Sequence, residues 1–376
     1  MKTWMKTNEQ EKTNVRQPSV IHVLPTLGVG GAERVVCELV VGLSARGFQS
    51  KIVTTIAGGP FEEFCREHQI VVEKLIRRDR FGWSTTRDML ALFRRDRPTI
   101  VHTHLSGPDM WGRVAAGLAH VPLILSTEHN TSPGTGWMKQ TFKKMIARHT
   151  DGIVAVSNEV KRLLVQRDGM TSSDVYVIPN GIDLSRILVR GGHGFRDVPR
   201  LICVGRLYPQ KGHAILLKAL ATIPRPWQLW IIGDGPCASE LRRLAEELQI
   251  ASRIAWLGIR NDVPQLLTEA DVFCFPSLWE GQGLAAIEAA AAGVPIIASD
   301  LPEIHDILSK NEITYVAPGI VEAWSQAIEE MLSDPFPAIQ RAIRSAPVIQ
   351  QRVSQEKMIE AYAELYRKLM KSRGLL

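Results

Sequence analysis

The chain has 376 residues, 45% of them hydrophobic and 22% charged, with a formal net charge of +6. A single core stops growing at roughly 250 to 300 residues, so a chain of this length is expected to form two domains. The most apolar stretch, Leu284 to Ala298, is broken by Glu288, Gly293 and Pro295, short of the about 18 uninterrupted apolar residues a transmembrane helix needs.

The opening MKTWMKTNEQEKTNVRQ has positive charge but no apolar segment of signal-peptide character, so residues 1–18 read as a polar, disordered tail and the protein as cytoplasmic. Five cysteines, Cys37, Cys65, Cys203, Cys237 and Cys274, are odd in number and widely spaced. That supports neither a disulfide framework nor a zinc site, and they read as small packing thiols. Charge is one-sided: residues 1–183 carry 24 Lys+Arg against 18 Asp+Glu, whereas residues 184–376 carry 21 against 21. A basic first half can meet nucleic acid, anionic lipid or a phosphorylated molecule, or be an ordinary solvated surface.

In chain order, VIHVLP (20–25) reads as a strand and Gly31 to Gly47 as a helix, followed by the strands KIVTTI (51–56), TIVHTH (99–104), LILSTEH (123–129) and GIVAVS (152–157). After a turn-rich stretch at Arg186 to Arg200 the grammar restarts with LICVG (201–205), QLWIIGDG (228–235), IAWLG (254–258), VFCFPS (272–277) and PIIASD (295–300). Strand then helix, repeated, means parallel sheets covered on both faces. The fold class is therefore α/β, with two doubly wound, Rossmann-like domains at 19–185 and 186–352. Ligands of such sheets sit beyond the carboxyl ends of the strands, so two facing domains enclose a cleft. A last helical pattern over 353–376 carries Met358, Ala361, Leu365 and Leu369 at helical spacing and could close either domain, packing back on the N-terminal one being an open option.

Three loops at strand ends carry chemistry. TLGVGGAERVV (26–36) places Gly28, Gly30 and Gly31 before a helix, where backbone amides and the helix N-terminus favour an anion. The steric alternative is a tight turn. GRLYPQKG (205–212) puts Arg206 and Lys211 in one loop, a pair suited to a diphosphate or, more blandly, two solvated cations. GDGP (233–236) reads as a tight structural turn. PSLWEGQGLAAIEAAAAGVPIIASD (276–300) separates Glu280 from Glu288 by seven residues, with Gly281, Gln282, Gly283 and Leu284 opening the helix between them. Those amides can hold a phosphate, Glu280 can accept from sugar hydroxyls and Glu288 from a ribose. A lone charge inside LAAIEAAAAG needs a polar partner if buried.

Taken together, GGAERVV, VHTH, STEHN, VIPNGID, GRLYPQKG, GDGP and the Glu-x7-Glu element occur in the order that resembles glycosyltransferase family 4 of the GT-B superfamily. The resemblance implies a retaining glycosyltransferase with its acceptor on the N-terminal domain and its nucleotide-sugar donor on the C-terminal one. It assigns donor phosphates to Gly30, Gly31, Arg206, Lys211 and the amides around Gly281, Gln282, Gly283 and Leu284, the donor sugar to Glu280 and the ribose to Glu288. His129 matches the histidine beside the transferred sugar, making His129 and Glu280 the catalytic pair, with His104 behind His129. Leu257 to Asp262 follows the strand near which the family holds the nucleobase. One departure is Gln282, where the family commonly has Phe, so sugar preference or loop packing differs.

No Asp-x-Asp occurs in the chain, and the resemblance implies no metal and no cofactor, the nucleotide sugar being a substrate. The expected function is transfer of a hexose or N-acetylhexosamine, from a UDP-sugar by preference, to a glycan or polyprenyl-diphosphate-linked acceptor in cell-surface polysaccharide or glycoconjugate synthesis. The alternatives are a nucleotide-sugar epimerase of the same fold and an inactive nucleotide-sugar-binding protein. Ile76 to Pro98 and Gly136 to His149 interleave Arg or Lys with Trp83, Phe93, Trp137, Met138, Phe142 and Met145. That composition suits peripheral contact with an anionic membrane, or an amphipathic helix packed on its own domain. Nucleic acid is not expected as a partner.

Overall fold

The computed structural model describes residues 17–75, 82–105, 108–130, 141 and 144–376. Its first sheet contains β1 (Ser19–Leu24), β2 (Gln49–Thr54), β3 (Val72–Lys74), β4 (Ile100–His104), β5 (Leu123–Glu128), β6 (Gly152–Ala155) and β7 (Val175–Val177), in the order β3-β2-β1-β4-β5-β6-β7. The second contains β8 (Arg200–Val204), β9 (Gln228–Ile232), β10 (Ile254–Gly258), β11 (Val272–Phe275), β12 (Ile296–Ser299) and β13 (Thr314–Val316), ordered β10-β9-β8-β11-β12-β13. Neighbouring strands pair in parallel throughout. Central strands such as β4 and β11 are buried at every position. That is why they read as continuous apolar or β-branched runs rather than alternating ones.

In each sheet the order reverses beside the first strand, between β1 and β4 and between β8 and β11. A crevice opens at that point because the connections leave in opposite directions. The glycine loop after β1 and His104 at the end of β4 therefore lie at one reversal. The loops GRLYPQKG after β8 and PSLWEGQG after β11 lie at the other.

Helix α1 (Gly31–Ser44) buries Val35, Leu39 and Leu43 on one face against the first sheet, the four-residue spacing of an amphipathic helix. The helix Phe336–Arg352 packs on the second domain, where Ala342, Ala346 and Ile349 are buried. The chain then crosses back. Ile182 bridges to Ser354, with the Ile182 amide donating to Val353 O at 2.8 Å and the Gln355 amide to Ile182 O at 3.1 Å. The final helix Gln355–Ser372 lays Met358, Tyr362, Leu365, Tyr366 and Leu369 on the cluster that holds Val20, Leu39 and Phe48 of the first domain. Two adjacent crossings, at 180–182 and 353–355, thus tie the halves together.

The cysteines are all free thiols, Cys37, Cys65, Cys203 and Cys274 being buried. No helix among the described residues is long and apolar enough to cross a membrane. The two basic and aromatic stretches divide. In the first, Phe93 is core at 1% exposure, so it offers nothing to a surface, whereas Trp83 is 67% exposed and lies against Trp111. In the second, Trp137, Met138, Lys139, Phe142 and Lys143 lie outside the described residues. Ile146 is buried at 4% exposure and Met145 is 54% exposed.

Candidate active site

The GRLYPQKG and PSLWEGQG loops are fastened to each other. The Leu278 amide donates to Gln210 O at 2.7 Å and Gln210 Nε2 to Trp279 O at 2.8 Å. Gly212 has φ +65°, and a Cβ there would lie 1.9 Å from Pro276 O, so only glycine lets the strands meet this closely. The GDGP turn is part of the same scaffold. A Cβ on Gly233 would lie 2.0 Å from Gly205 O and one on Gly235 2.5 Å from Leu207 O, which accounts for both glycines without a ligand.

On this scaffold Lys211 Nζ pairs with Glu280 Oε1 at 2.5 Å, both side chains being largely buried. Arg206 is exposed beside them with its guanidinium over the Tyr208 ring. Gly283, at φ +79°, caps the helix Leu284–Ala291 in the left-handed region, and no side chain caps that helix start. Glu288 emerges one turn later, and its partner is Arg34 of α1: Nη1 lies 2.9 Å from Glu288 Oε1. Arg34 also holds the buried Glu38 at 2.9 Å, and burial raises the Glu38 carboxyl above its usual range.

The N-terminal domain forms the other wall. Gly30 is the extended residue before α1, and Gly31 presses so close to Leu284 that a Cβ would lie 2.8 Å from its Cδ1. Gly281 abuts the His129 carbonyl in the same way, at 1.9 Å from a notional Cβ. Gly31 with Leu284, His129 with Gly281 and Arg34 with Glu288 thus bring the sequence-derived residues of the two domains together along one seam, with Lys211 held on Glu280. Glu33, in the first turn of α1, is also there. Burial raises its carboxyl, while its own backbone amide, Arg206 and Thr26 pull the other way.

The Gln282 side chain is 3% exposed, accepts from the Asn180 amide at 2.7 Å and donates to the Asn180 carbonyl at 2.9 Å, so it spends both polar ends on the backbone of one residue at the domain crossing. A Phe could make neither bond, which gives the departure from the family pattern a physical reason.

His129 stands at the end of a set of imidazoles. His129 Nε2 lies 3.3 Å from His104 Nδ1, and His104 Nε2 lies 3.1 Å from His22 Nδ1. Beside them, His102 is bonded at Nδ1 to Tyr366 Oη (2.6 Å) and at Nε2 to Thr127 Oγ1 (2.7 Å). Burial lowers His22 to about 3 and His129 to about 4, and drives His102 and His104 well below the ordinary value. Among the described residues, only His22, His102 and His104 come close enough together to share a metal ion. Sequence reasoning missed His22 and Arg34. The H-x-H of β4 hinted at the first, because alternate residues share a face. Arg34 left no signal, being 254 residues from Glu288.

Residues 29–186 match the family Glycosyltransferase Family 4 and residues 198–334 match Glycosyl transferases group 1. The UDP-Gal:alpha-D-GlcNAc-diphosphoundecaprenol alpha-1,3-galactosyltransferase of Escherichia coli is 32% identical over 244 residues, 59% of this chain and 62% of that protein. The GDP-mannose-dependent alpha-(1-6)-phosphatidylinositol monomannoside mannosyltransferase of Mycobacterium tuberculosis (strain CDC 1551 / Oshkosh) is 28% identical over 244 residues, 58% of this chain and 63% of that protein. The similarity thus spans less than two thirds of either relative's length. Among solved structures, Anabaena HepE in complex with UDP and glucose superposes with a TM-score of 0.82 at 19% identity, covering 93% of this chain and 100% of that one, a likeness of fold. With one family match on each sheet and the two-sheet GT-B architecture joining them, the chain belongs to the group 1 glycosyltransferases of family 4.

Proposed function

We propose that this protein is a retaining hexosyltransferase that moves a hexose or N-acetylhexosamine from a UDP-sugar to a lipid-linked glycan acceptor. The observation that carries the reading is the Lys211 and Glu280 pair set beside the bare start of the helix Leu284–Ala291, with His129 and Gly31 closing the site from the other domain. Glu280, polarised by Lys211, accepts hydrogen bonds from donor-sugar hydroxyls. Glu288 has Oε1 on Arg34 and offers its second oxygen to a ribose.

As the glycosidic bond lengthens, negative charge grows on the departing diphosphate. Arg206, Lys211 and the amides at the starts of α1 and of the helix Leu284–Ala291 supply positive potential where that charge appears. This supports transfer without a metal, with the acceptor attacking on the face the diphosphate leaves, while Glu280 stays paired with Lys211. A lipid-linked acceptor is supported by the two relatives, whose names specify a diphosphoundecaprenol and a phosphatidylinositol mannoside acceptor. It also fits the excess positive charge of the N-terminal half, which suits an association at the inner face of the cytoplasmic membrane.

The test is purified protein with a panel of UDP- and GDP-sugars and an undecaprenyl-diphosphate-linked N-acetylglucosamine, followed by mass spectrometry and by NMR of the new anomeric centre. The expected product keeps the donor's anomeric configuration and forms in the presence of a chelator. An epimerised nucleotide sugar, or binding without turnover, would replace this reading with another. Loss of transfer on chelation, restored by magnesium, would overturn the metal-independent route.

A further inference from the structure

His22, His104 and His129 are joined nitrogen to nitrogen, and each link needs one N–H and one lone pair. A neutral imidazole has one of each, and burial keeps all three neutral at ordinary pH. The direction of donation is therefore the same at both links, which leaves two arrangements. In one, His22 Nδ1–H donates to His104 Nε2 and His104 Nδ1–H donates to His129 Nε2, so His129 carries its proton on Nδ1. In the other every proton is shifted, His129 Nδ1 is a bare acceptor, and His22 carries its proton on Nε2.

The ends of the chain decide between them. His22 Nε2 and His129 Nδ1 are both buried and without a partner among the described residues. His22 is wholly enclosed at 0% exposure, whereas His129 is half-buried where the two domains meet, with its carbonyl against Gly281. A buried donor with no acceptor is the rarer and costlier orphan, a buried bare acceptor the more tolerable one. The second arrangement places an orphan N–H at His22, where no ligand can reach it. The first leaves a lone pair there and puts the unspent N–H on His129, at the domain boundary where the transferase reading puts the donor substrate.

Resting on the transferase reading above, we propose that His22 and His104 are positioning residues, a one-way chain of imidazoles that fixes His129 as an Nδ1–H donor aimed at an oxygen of the donor substrate, a sugar hydroxyl or a diphosphate oxygen. His102 is outside the chain. Both its nitrogens are engaged by Tyr366 and Thr127, and its ring packs on His104 at 4.2 Å between centroids. A metal ion shared by His22, His102 and His104 would have to take His102 from one of those hydroxyls and break the His22 to His104 bond, so the hydrogen-bonded chain is the better account of the cluster.

The experiment is long-range nitrogen–proton correlation NMR on ¹⁵N-histidine-labelled protein without ligand, on the wild type, His22→Leu and His22→Gln. In the wild type, His129 is expected to be protonated at Nδ1 and bare at Nε2. His22→Leu removes the terminal donor and should convert the His129 signals to a mixture of tautomers, with kcat/KM for transfer falling about two- to tenfold, the worth of one neutral hydrogen bond. His22→Gln supplies an amide N–H at that place and should restore both. A wild-type His129 protonated at Nε2, or a tautomer indifferent to His22→Leu, overturns the chain. So does stoichiometric zinc in the wild type that is lost in His22→Leu. A changed tautomer with unchanged kcat/KM overturns the positioning role. The tautomer is read in the free protein, so its outcome is separate from whether a sugar is transferred at all.

Discussion

At the scale of single residues, the site is held by side chains whose partners are backbone groups or distant charges. Gln282 satisfies both the N–H and the carbonyl of one buried residue, Asn180. Gln282→Ala should cost about 2 kcal/mol or more, because an N–H and a carbonyl are left unpaired out of water. The midpoint of chemical unfolding measures it, and an unchanged midpoint would mean that water takes over both bonds. The buried histidines set an acid limit on stability. His22 falls to about 3 and His129 and His213 to about 4, chiefly by burial. Since the folded values lie below the unfolded one, the unfolded chain binds the extra protons below pH ~6.5, so stability present above that pH is lost as pH falls toward the folded values. Each such histidine contributes about 1.4 kcal/mol per pH unit in that window. Unfolding midpoints measured from pH 7 to 4.5 should fall steeply, and less steeply in His213→Leu. Glu280 and Glu288 were legible at this scale from their spacing about a glycine-opened helix, the glycines from their places before helices, and His129 from the resemblance to the family pattern. Arg34 and His22 were not, because a partner across the fold leaves no mark on local spacing.

At the scale of elements, close backbone approach does what side chains do elsewhere. Gly212→Ala would bring a Cβ to 1.9 Å from Pro276 O. That atom is backbone and cannot rotate away, so the β8 and β11 loops must part and Lys211 must withdraw from Glu280. A displacement of about 1 Å at a reacting site costs on the order of a hundredfold in turnover. We expect at least a tenfold loss in kcat/KM together with a lowered unfolding midpoint, since Gly212 sits at φ +65°, and near-wild-type kinetics would show that the loop contact is dispensable. Gly283→Ala places an L-residue at φ +79°, with a strain of roughly 1–2 kcal/mol felt at the amides proposed to meet phosphate. Most of the fold was readable at this scale from strand runs followed by helical periods. The three-residue strands β3, β7 and β13 were not. Three residues carry no measurable period, and as edge strands these are placed by their single neighbour rather than by their own pattern.

At the scale of the molecule, two sheets face each other and the chain crosses between them twice at one place. The sequence implied two domains but could not tell which one the last helix would cover. Its apolar face suits either, and only the Ile182 to Ser354 crossing directs it to the first. The acceptor reading belongs here too. Sedimentation with vesicles should show binding that requires anionic lipid and falls with salt, and Lys139→Glu, Lys143→Glu and Lys144→Glu together should weaken it. Equal partition to neutral vesicles would favour a soluble acceptor. The central claim is that the cleft holds a nucleoside diphosphate through Glu288 on the second domain, with Arg34 of the first orienting that carboxylate. Titration calorimetry of UDP against wild type and Glu288→Ala tests it most directly. Losing charge-assisted hydrogen bonds worth about 1.5–3 kcal/mol should weaken UDP binding roughly ten- to 150-fold, and an affinity equal to wild type would contradict the account.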